Sequence, residues 1–362
     1  MTAPPTGLRS SETPAEPRIL IIGNFLSRQV STRAVCEELA DRLSGEGWKV
    51  LRTSDRRARL PRLVGMQRSI WRFRHRFDVA QVDVFSGSAF LWAEAAAWSL
   101  RRLGKPFVLT LHGGLLPYFA RRWPRRLKGL LRSAAAVTTP SAYLETELGG
   151  YCEDLLLLPN PLDLALYPYR CRSPLPPHLV WLRAFHHTYN PLLAVEVVAR
   201  LRPRFPEIRL TMIGPDKGDG SLEATRRRAR QLGLEGHVEF PGGVAKKEVP
   251  RWLDRGDIFL NTTNADNTPV SVMEAMACGL PVITTDVGGL GFLLDHDEDA
   301  LLVPPRDPEA MARAVALVLD RPEKATALAR AARSKVEAFD WSVVLPRWQE
   351  LLRRAAESGE RP

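Results

Sequence analysis

Short apolar runs alternate with amphipathic segments along most of the chain. Residues 18–23 form an apolar run that ends in a polar loop, and residues 32–45 carry apolar side chains about four positions apart, as on one face of a helix. A second apolar run follows at residues 48–53. The pattern therefore predicts a strand, a helix and a strand, which is how a parallel Rossmann-like sheet begins.

The same alternation continues to the end of the chain. In the first half it predicts strands at residues 79–85, 107–111, 135–139 and 154–158 and helices at residues 89–103 and 142–148. The Pro-rich run at residues 171–177 predicts a linker. Beyond it the pattern predicts strands at 178–182, 208–213, 238–240, 257–260 and 281–285, and helices at 190–201, 222–232, 246–254, 270–278, 308–319, 324–337 and 341–356. We therefore expect an α/β protein with one parallel sheet on each side of the linker.

The composition agrees with two folded domains. The chain has 362 residues, of which 45% are hydrophobic and 25% charged. Residues 1–17 are rich in Pro, Thr, Ser and Glu and are expected to form a disordered tail. The four cysteines form no Cys-x-x-Cys pair, which argues against a zinc site or a disulfide framework. No apolar run approaches the roughly 18 residues that span a bilayer, and no signal-peptide pattern opens the chain, so we expect a cytoplasmic protein.

The positive charge is confined to the first half. The net charge is +10; residues 1–170 hold 25 Lys and Arg against 15 Asp and Glu, whereas the remainder holds 26 of each. This asymmetry predicts an anionic partner for the first half alone.

Two basic segments in the first half also contain large apolar side chains. Residues 52–76 carry nine Arg and one acidic residue among Leu, Met, Ile, Trp and Phe, and residues 121–132 carry a second cluster around Trp123. Such segments are typical of helices that lie on an anionic membrane surface, here peripherally at the inner face of the membrane. They are equally typical of a solvated basic face whose apolar stripe packs on its own sheet. Nucleic acid is not expected as a partner, because no binding motif or aromatic platform is present.

A cluster of candidate ligand-binding residues lies between Asp266 and Gly289. An Asn-Thr-Pro loop leads into the predicted helix at 270–278, which carries Glu274, and Gly279 ends that helix before a buried strand and a Gly-Gly turn. The free N–H groups at a helix start suit a phosphate. The stretch therefore predicts a nucleotide-phosphate cradle in which Asp266 and Glu274 face the hydroxyls of a ligand.

This stretch resembles the acidic-x7-Glu signature of retaining, family 4-type glycosyltransferases, also called glycosyl transferases group 1. Asp266 stands where the family usually has the first Glu and is one methylene shorter, and Glu274 is the second Glu. The matching positions that follow are Ala275, Met276, Ala277, Gly279, Pro281 and Val282.

The resemblance covers nearly all of residues 18–357 and implies the GT-B fold, in which two Rossmann-like domains with parallel sheets face each other across a cleft. Residues 18–172 would form the basic acceptor domain and residues 173–340 the nucleotide-sugar donor domain. Residues 341–362 would form a helix that crosses back to the first domain.

The resemblance also implies roles for residues of the second domain. Asp266 and Arg183 would act at the reacting sugar and diphosphate, and Glu274 would bind the nucleoside ribose. In the family a Lys follows the Arg, but Asn190 or His187 stands near that position, so Lys217 in the Gly-rich loop 214–220 is the candidate replacement. The remaining predicted donor contacts are Thr268, Pro269, Val270 and Ser271.

In the first domain, the loop after the first strand offers Gly23, Asn24 and Phe25 as donor or acceptor contacts. It lacks the Gly-x-Gly-x-x-Gly pattern, so a nicotinamide site is not expected. His112 ends a predicted strand at its carboxyl end, where open α/β sheets bind ligands. The resemblance places this His beside the transferred sugar.

We expect no cofactor and no metal, with a nucleotide diphosphosugar as co-substrate. The acidic cluster Asp295–Asp299 matches a surface turn of the family, and GT-B enzymes neutralise the diphosphate with cationic side chains and a helix start instead. No second carboxylate is placed as a nucleophile, which favours front-face transfer over double displacement. A glycan, a lipid-linked molecule or a small molecule remains open as acceptor, as do the base and the sugar of the donor.

Two other functions remain open at this point. A nucleotide-sugar epimerase shares the fold and needs no acceptor. A non-catalytic membrane-associated scaffold is compatible with the departures at Asp266 and Asn190.

Overall fold

A computed structural model describes residues 16–23, 25, 34–53 and 59–359. The first domain contains strands β1 (Ile19–Ile22), β2 (Val50–Arg52), β3 (Val79–Val84), β4 (Phe107–Leu111), β5 (Ala136–Thr139) and β6 (Leu155–Leu157). Its helices are α1 (Val35–Gly45), α2 (Arg59–Arg72), α3 (Phe90–Arg102), α4 (Leu116–Arg122), α5 (Pro124–Leu131) and α6 (Ala142–Leu148).

The second domain repeats this alternation. Its strands are β7 (His178–Leu182), β8 (Arg209–Ile213), β9 (Val238–Gly242), β10 (Ile258–Asn261), β11 (Val282–Thr285) and β12 (Ala300–Val303). Its helices are α7 (Pro191–Leu201), α8 (Ser221–Gln231), α9 (Val249–Asp254), α10 (Val270–Ala277), α11 (Leu290–Leu293), α12 (Pro308–Asp320) and α13 (Pro322–Glu337), and α14 (Trp341–Ser358) follows.

Each domain is built on a parallel sheet that, within the described residues, has six strands. The strand orders are β2-β1-β3-β4-β5-β6 and β12-β11-β10-β7-β8-β9. The order reverses between β1 and β3 in the first sheet and between β7 and β10 in the second. Open α/β sheets bind ligands at such switch points, outside the carboxyl ends of the strands. The predicted fold class is confirmed.

Helices cover both faces of each sheet, and alternate side chains along a strand pack against opposite helices. In β1, Leu20 and Ile22 pack with α2 and α3, whereas Ile19 and Ile21 pack with α1 and α14. Successive strand side chains point to opposite faces, so a strand that is buried on both faces reads as a continuous apolar run. This explains why the short strands could be recognised in the sequence.

Most predicted elements end within two residues of the observed ones, as is usual at frayed ends. The predicted helix at 246–254 is a 3-10 turn at Lys246–Glu248 followed by α9, which has Pro250 in its first turn. Helices α4, α5 and α11 were not assigned from the sequence. They are short, from four to eight residues, so the apolar period had too few repeats to be read.

Parts of the expected N-terminal tail and of the linker make hydrogen bonds with folded parts of the protein. The expected disordered tail included residue 16, but Glu16 accepts two hydrogen bonds from Arg353, at 2.7 and 3.0 Å; residues 1–15 lie outside the described residues. In the linker, the buried Arg172 side chain donates to the carbonyl oxygens of Gly256 (2.9 Å) and Cys278 (2.6 Å). The linker is therefore held against the second domain.

Helix α14 lies against the first domain. Trp341, Val344, Trp348 and Leu352 are buried in the cluster that also contains Ile19, Ile21, Leu39, Val79 and Val108. The polypeptide thus crosses between the domains twice, once through the linker and once through α14. Among the described helices, none is both long and apolar enough to cross a membrane.

Replacing Trp348 by Ala should lower the free energy of unfolding by about 3–5 kcal/mol, because the buried indole is lost from the contact between α14 and the first sheet. Chemical denaturation followed by fluorescence measures this. Val343→Ala on the same helix is the control: Val343 is 46% exposed, so a change below about 0.5 kcal/mol is expected. Equal losses in the two variants would show that the docking of α14 is not held by its buried face.

Candidate active site

A cleft with a volume of about 580 Å³ lies between the two domains. One wall comes from α1 and from residues 161–167 of the first domain. The other wall comes from the loops that follow β7, β8 and β9 and from the start of α10. A cavity at the carboxyl ends of two facing parallel sheets is where this architecture binds ligands.

The loops at the switch point of the second sheet bring Arg183 and Asp266 together. Arg183 follows β7 directly, Asp266 lies in the loop after β10, and β7 and β10 are neighbours. The two side chains form an ion pair. The guanidinium carbon of Arg183 also lies 4.5 Å from the centre of the Tyr189 ring. Burial lowers the pKa of Arg183 to about 10, against the opposing effects of Tyr189 and Glu274, and the side chain is still a cation at neutral pH.

The Gly-Gly turn after β11 fits against the loop that carries Asp266. A Cβ added at Gly288 would lie 2.1 Å from the carbonyl oxygen of Asp266, and one at Gly289 would lie 1.9 Å from that of Asn267. The Gly289 N–H donates to the Asp266 carbonyl at 3.1 Å. These glycines are needed because the two backbones approach closely, so the turn fixes the loop beside Arg183.

Glu274 of α10 lies in the cleft wall with only 3% of its surface exposed. Its Oε1 atom accepts a hydrogen bond from the Tyr167 hydroxyl and one from Lys246 Nζ, both at 2.5 Å. Burial, followed by the charge of Glu274, raises the pKa of Tyr167 far above its ordinary value, so the phenol stays protonated and donates. The other oxygen, Oε2, accepts no hydrogen bond from the described residues. One oxygen is thus fixed by the protein and the other is left for a ligand.

The start of α10 faces the same cleft. Val270 and Ser271 line it, and the buried Ser271 hydroxyl has no hydrogen-bond partner among the described residues. Thr268 instead donates to the Pro140 carbonyl of the first domain at 3.4 Å, and Pro269 precedes the first turn of the helix. The first-turn N–H groups and the Ser271 hydroxyl form a donor set that suits an anion.

Three lysines line the cleft. Lys217 was predicted from the Gly-rich loop, whereas Lys246 and Lys247 were missed because their loop was interpreted as the surface of a helix. Their position directly after a strand, at its carboxyl end, was the available signal. Asn190, near the expected Lys position, has a left-handed backbone (φ 45°) before α7 and serves as a turn residue.

The first domain places Gly23 and His112 at the carboxyl ends of β1 and β4. A Cβ on Gly23 would lie 2.6 Å from both Asp83 Oδ2 and Cys36 Sγ, so only glycine fits there. His112 Nε2 lies 3.1 Å from Asp83 Oδ1. Sequence reasoning missed Asp83, which is the penultimate residue of β3, a strand otherwise interpreted as core. Asn24 lies outside the described residues; Phe25 is buried.

The predicted site residues therefore fall into two groups. Arg183, Lys217, Val270, Ser271 and Glu274 line the cleft. Asp266, His112, Gly23, Thr268 and Pro269 do not line it. Asp266 pairs with Arg183, His112 and Gly23 lie beside Asp83, Thr268 donates to Pro140, and Pro269 precedes the first turn of α10.

Two clusters of potential metal ligands have protein partners. Lys335 pairs with Asp295 and Asp299, and Lys324 pairs with Asp297. His186, His187 and Asp219 also lie together. Asp219 accepts hydrogen bonds from the His187 N–H (2.8 Å) and the Ser221 hydroxyl (2.9 Å), so it joins the loop after β7 to the start of α8.

Tyr167→Phe should lower the free energy of unfolding by about 1.5–3 kcal/mol, because the buried Glu274 carboxylate loses a charge-assisted hydrogen bond. Thermal and chemical denaturation measure the loss. Tyr169→Phe is the matched control, since the Tyr169 ring is 39% exposed and its hydroxyl has no hydrogen-bond partner among the described residues. If both variants are as stable as the parent, the contact between Tyr167 and Glu274 contributes nothing to folding.

Two protein-family models match the chain and together span most of it. The model described as Glycosyltransferase Family 4 matches residues 22–166, and the model described as Glycosyl transferases group 1 matches residues 176–335. The two matches correspond to the two sheets.

Curated relatives and solved structures agree with these models. Glycogen synthase of Mycobacterium tuberculosis (strain ATCC 25618 / H37Rv) is 28% identical over 77% of this chain and 70% of its own length. D-inositol 3-phosphate glycosyltransferase of Pseudarthrobacter chlorophenolicus is 26% identical over 70% of this chain and 63% of its own length.

Among solved structures, sucrose-phosphate synthase from Thermosynechococcus elongatus has a TM-score of 0.79 at 20% identity, covering 94% of this chain and 100% of that one. Anabaena HepE in complex with UDP and glucose has a TM-score of 0.75 at 17% identity, covering 93% and 99%. The resemblance seen in the sequence is confirmed: the chain belongs to the group 1, family 4-type glycosyltransferases of the GT-B fold.

Proposed function

We propose that this glycosyltransferase moves a sugar from a nucleotide diphosphosugar to an acceptor hydroxyl, with retention at the anomeric carbon and without a metal. The observation that carries the proposal is Glu274: a buried carboxylate in the cleft wall, fixed through one oxygen and open at the other. A carboxylate accepts hydrogen bonds only, so the open oxygen suits the vicinal hydroxyls of a ribose.

The diphosphate would lie between the start of α10 and the lysines of the opposite loops. First-turn N–H groups and the Ser271 hydroxyl supply neutral donors, and Lys217, Lys246 and Lys247 supply positive charge. Donors and cations fixed in advance stabilise the charge that develops as the diphosphate leaves. In the proposed reaction these groups replace both a metal ion and the lysine that is missing near Asn190.

The reacting sugar would lie toward Arg183, Asp266 and His112. The bond from the anomeric carbon to the phosphate oxygen breaks, and the acceptor oxygen bonds to the same face. The acceptor proton passes to the departing phosphate oxygen. Asp266 would hold sugar hydroxyls and offset oxocarbenium-like charge, and Arg183 would assist the leaving diphosphate. Domain closure would limit hydrolysis of the donor by water.

The outer surface of the first domain supports a membrane-associated acceptor. The inner stripes of α2 and α3 pack on the sheet through residues such as Ile70 and Phe90. Their outer faces nevertheless expose Val64 and Trp71, and Leu91 and Trp98, each pair seven residues apart and therefore on one side of its helix. The two stripes are adjacent, because Trp71 Nε1 donates to Ser99 Oγ of α3 at 3.2 Å.

Exposed arginines accompany these apolar side chains. Arg68 lies between Val64 and Trp71 on α2, and the Arg102 guanidinium stacks 5.4 Å from the centre of the Trp98 ring. Trp123 between α4 and α5 is 47% exposed, with Arg122 stacked on it at 5.6 Å. Arg beside exposed Trp matches an anionic lipid surface, where the rings enter the interface and the charges meet headgroups. We propose that this face binds such a membrane.

A nucleotide that binds the cleft should raise the melting temperature of the protein. The complex of the structurally similar Anabaena protein with UDP and glucose makes UDP and UDP-sugars the first ligands to test, followed by GDP, ADP and TDP with their sugar conjugates. A ligand at a hundredfold excess over its Kd stabilises the folded state by about 2.7 kcal/mol. In Glu274→Gln the shift should disappear. Two results would contradict the proposal: no shift with any nucleotide, or isomerisation of the donor sugar without an acceptor, which identifies an epimerase.

The neighbouring lysines supply a matched pair for the same assay. Lys246→Met should raise the Kd of the nucleotide about tenfold, because its ammonium is held in the cleft by Glu274. Lys247→Met should have a smaller effect, since Lys247 lines the cleft but forms no ion pair with the described residues. Equal effects would mean that the contact with Glu274 does not position Lys246.

Vesicles that contain phosphatidylserine should sediment with the protein, and vesicles of pure phosphatidylcholine should not. In Leu91→Ser/Trp98→Ser the binding constant should fall at least tenfold, because each buried apolar side chain contributes about 1.5–3 kcal/mol. Val343→Ser, at an exposed site on α14, is the control. If the fraction of bound protein did not depend on the lipid charge or on added salt, an electrostatic membrane-binding face would be contradicted.

A further inference from the structure

A buried polar network crosses the first sheet next to its switch point. Gln81 Nε2 donates to Asp83 Oδ1 at 2.8 Å and to Thr110 Oγ1 at 2.9 Å, and Thr138 Oγ1 lies 3.1 Å from Thr110 Oγ1. These side chains come from the neighbouring strands β3, β4 and β5. Polar groups inside a sheet are costly unless they are satisfied. The network therefore calls for an explanation beyond packing.

Asp83 is the charged member of this network. Its side chain is 6% exposed. Burial acts to raise the pKa of Asp83, but the electrostatic interaction with His112 and hydrogen bonds from His112, Gln81 and Cys36 outweigh it, so the pKa is lowered overall. The carboxylate is therefore ionised at neutral pH and can only accept hydrogen bonds.

This acceptor faces one nitrogen of His112. Nε2 lies 3.1 Å from Asp83 Oδ1, and the ring stacks on Phe85 with 5.4 Å between centroids and 23° between planes. A neutral imidazole beside a carboxylate must carry its proton on Nε2, which leaves a lone pair on Nδ1. Nδ1 has no hydrogen-bond partner among the described residues, and the side chain is 15% exposed.

His112 lies where the two domains meet. Two residues further on, a Cβ built on Gly114 would be 3.5 Å from Asn267 Cβ and 4.0 Å from the carbonyl carbon of Asp266. The loop after β4 is thus in contact with the loop that carries Asp266, on the side of Arg183 to which the reacting sugar is assigned.

We propose that Asp83 is a positioning residue that holds the His112 ring with Nε2–H toward its carboxylate, so that Nδ1 accepts a hydrogen bond from a sugar hydroxyl at the domain boundary beside Asp266. The hydroxyl belongs either to the donor sugar or to the acceptor. This step rests on the proposed function, whereas the tautomer itself is a property of the free protein.

The tautomer can be measured without any ligand. Long-range ¹H–¹⁵N correlation spectra of protein labelled at histidine distinguish the two neutral tautomers from the charged ring, and His112→Asn identifies the signal. At about pH 8 we expect the Nε2–H pattern. An Nδ1–H pattern or a doubly protonated ring overturns the proposal. This measurement on the parent protein does not depend on whether a variant folds.

Asp83→Asn removes the charge at nearly constant volume. We expect the share of the Nδ1–H tautomer to rise and kcat to fall ten- to hundredfold, while the thermal shift induced by the nucleoside diphosphate alone, which carries no sugar, stays unchanged. Asp78→Asn, at the other end of the same strand, is the matched control: Asp78 pairs with Arg18 at 2.7 Å, away from the cleft, and kcat should not change. An unchanged kcat in Asp83→Asn with a shifted tautomer overturns the role of Nδ1.

The two sources of the hydroxyl are separated by donor hydrolysis without acceptor. If Nδ1 binds the donor sugar, Asp83→Asn slows hydrolysis and transfer alike. If it binds the acceptor, transfer alone slows and the KM of the acceptor rises. Failure of all nucleotides to bind contradicts the proposed function, and the tautomer measurement remains interpretable in that case.

Discussion

The buried carboxylate of Glu274 is the constraint around which the cleft is organised. An ionised group with 3% exposure is costly unless it is paired, and here the partners come from distant parts of the chain: Tyr167 before the linker and Lys246 after β9. The carboxylate therefore fixes the end of the first domain, the start of α10 and a loop of the second sheet relative to one another. Both hydrogen bonds go to Oε1, so the pairing of the charge leaves Oε2 available to a ligand.

Chain topology explains why the other polar groups gather where they do. In the second sheet the strand order reverses between β7 and β10, and the loops that leave these strands carry Arg183 and Asp266. In the first sheet the reversal lies between β1 and β3, where Gly23 faces Asp83. The corresponding edges of the two sheets thus face each other at the domain boundary, where the loop after β4 meets the loop that carries Asp266. Each edge pairs an acidic side chain with a cationic or titratable one, Asp266 with Arg183 and Asp83 with His112.

The sequence predicted helices and strands, because their hydrophobic patterns lie within short segments. It missed contacts between residues that are far apart in the chain. Doubly buried strands such as β1 read as apolar runs, and α10 was delimited by Pro269 and Gly279, so the fold and the position of Glu274 followed from the pattern. No local pattern distinguished Tyr167 from other tyrosines near a linker, and Asp83 was only a polar residue within a predicted core strand. Their partners are 107 and 29 residues away, and no spacing rule for a helix or strand connects such positions. Lys246 was missed for a different reason. A 3-10 turn followed by a short helix has the composition of one longer helix, so Lys246 was assigned to a helix surface rather than to a loop.

The pairing of Arg183 with Asp266 bears on how the site is charged before a donor arrives. Asp266 is one methylene shorter than the glutamate it replaces, and in this structure it contacts the arginine rather than the cavity. A cation paired with a carboxylate contributes little net field to a diphosphate, and Lys246 is paired with Glu274 as Arg183 is with Asp266. In the proposed complex Lys217 and Lys247 would therefore supply most of the net positive charge. In the proposed complex a diphosphate would compete with Asp266 for the guanidinium, and each contact that it gained with Arg183 would leave Asp266 freer for the sugar hydroxyls. The shorter side chain of Asp266 would reach less far than a glutamate. Its release from Arg183 by the diphosphate would nevertheless link binding of the diphosphate to binding of the sugar.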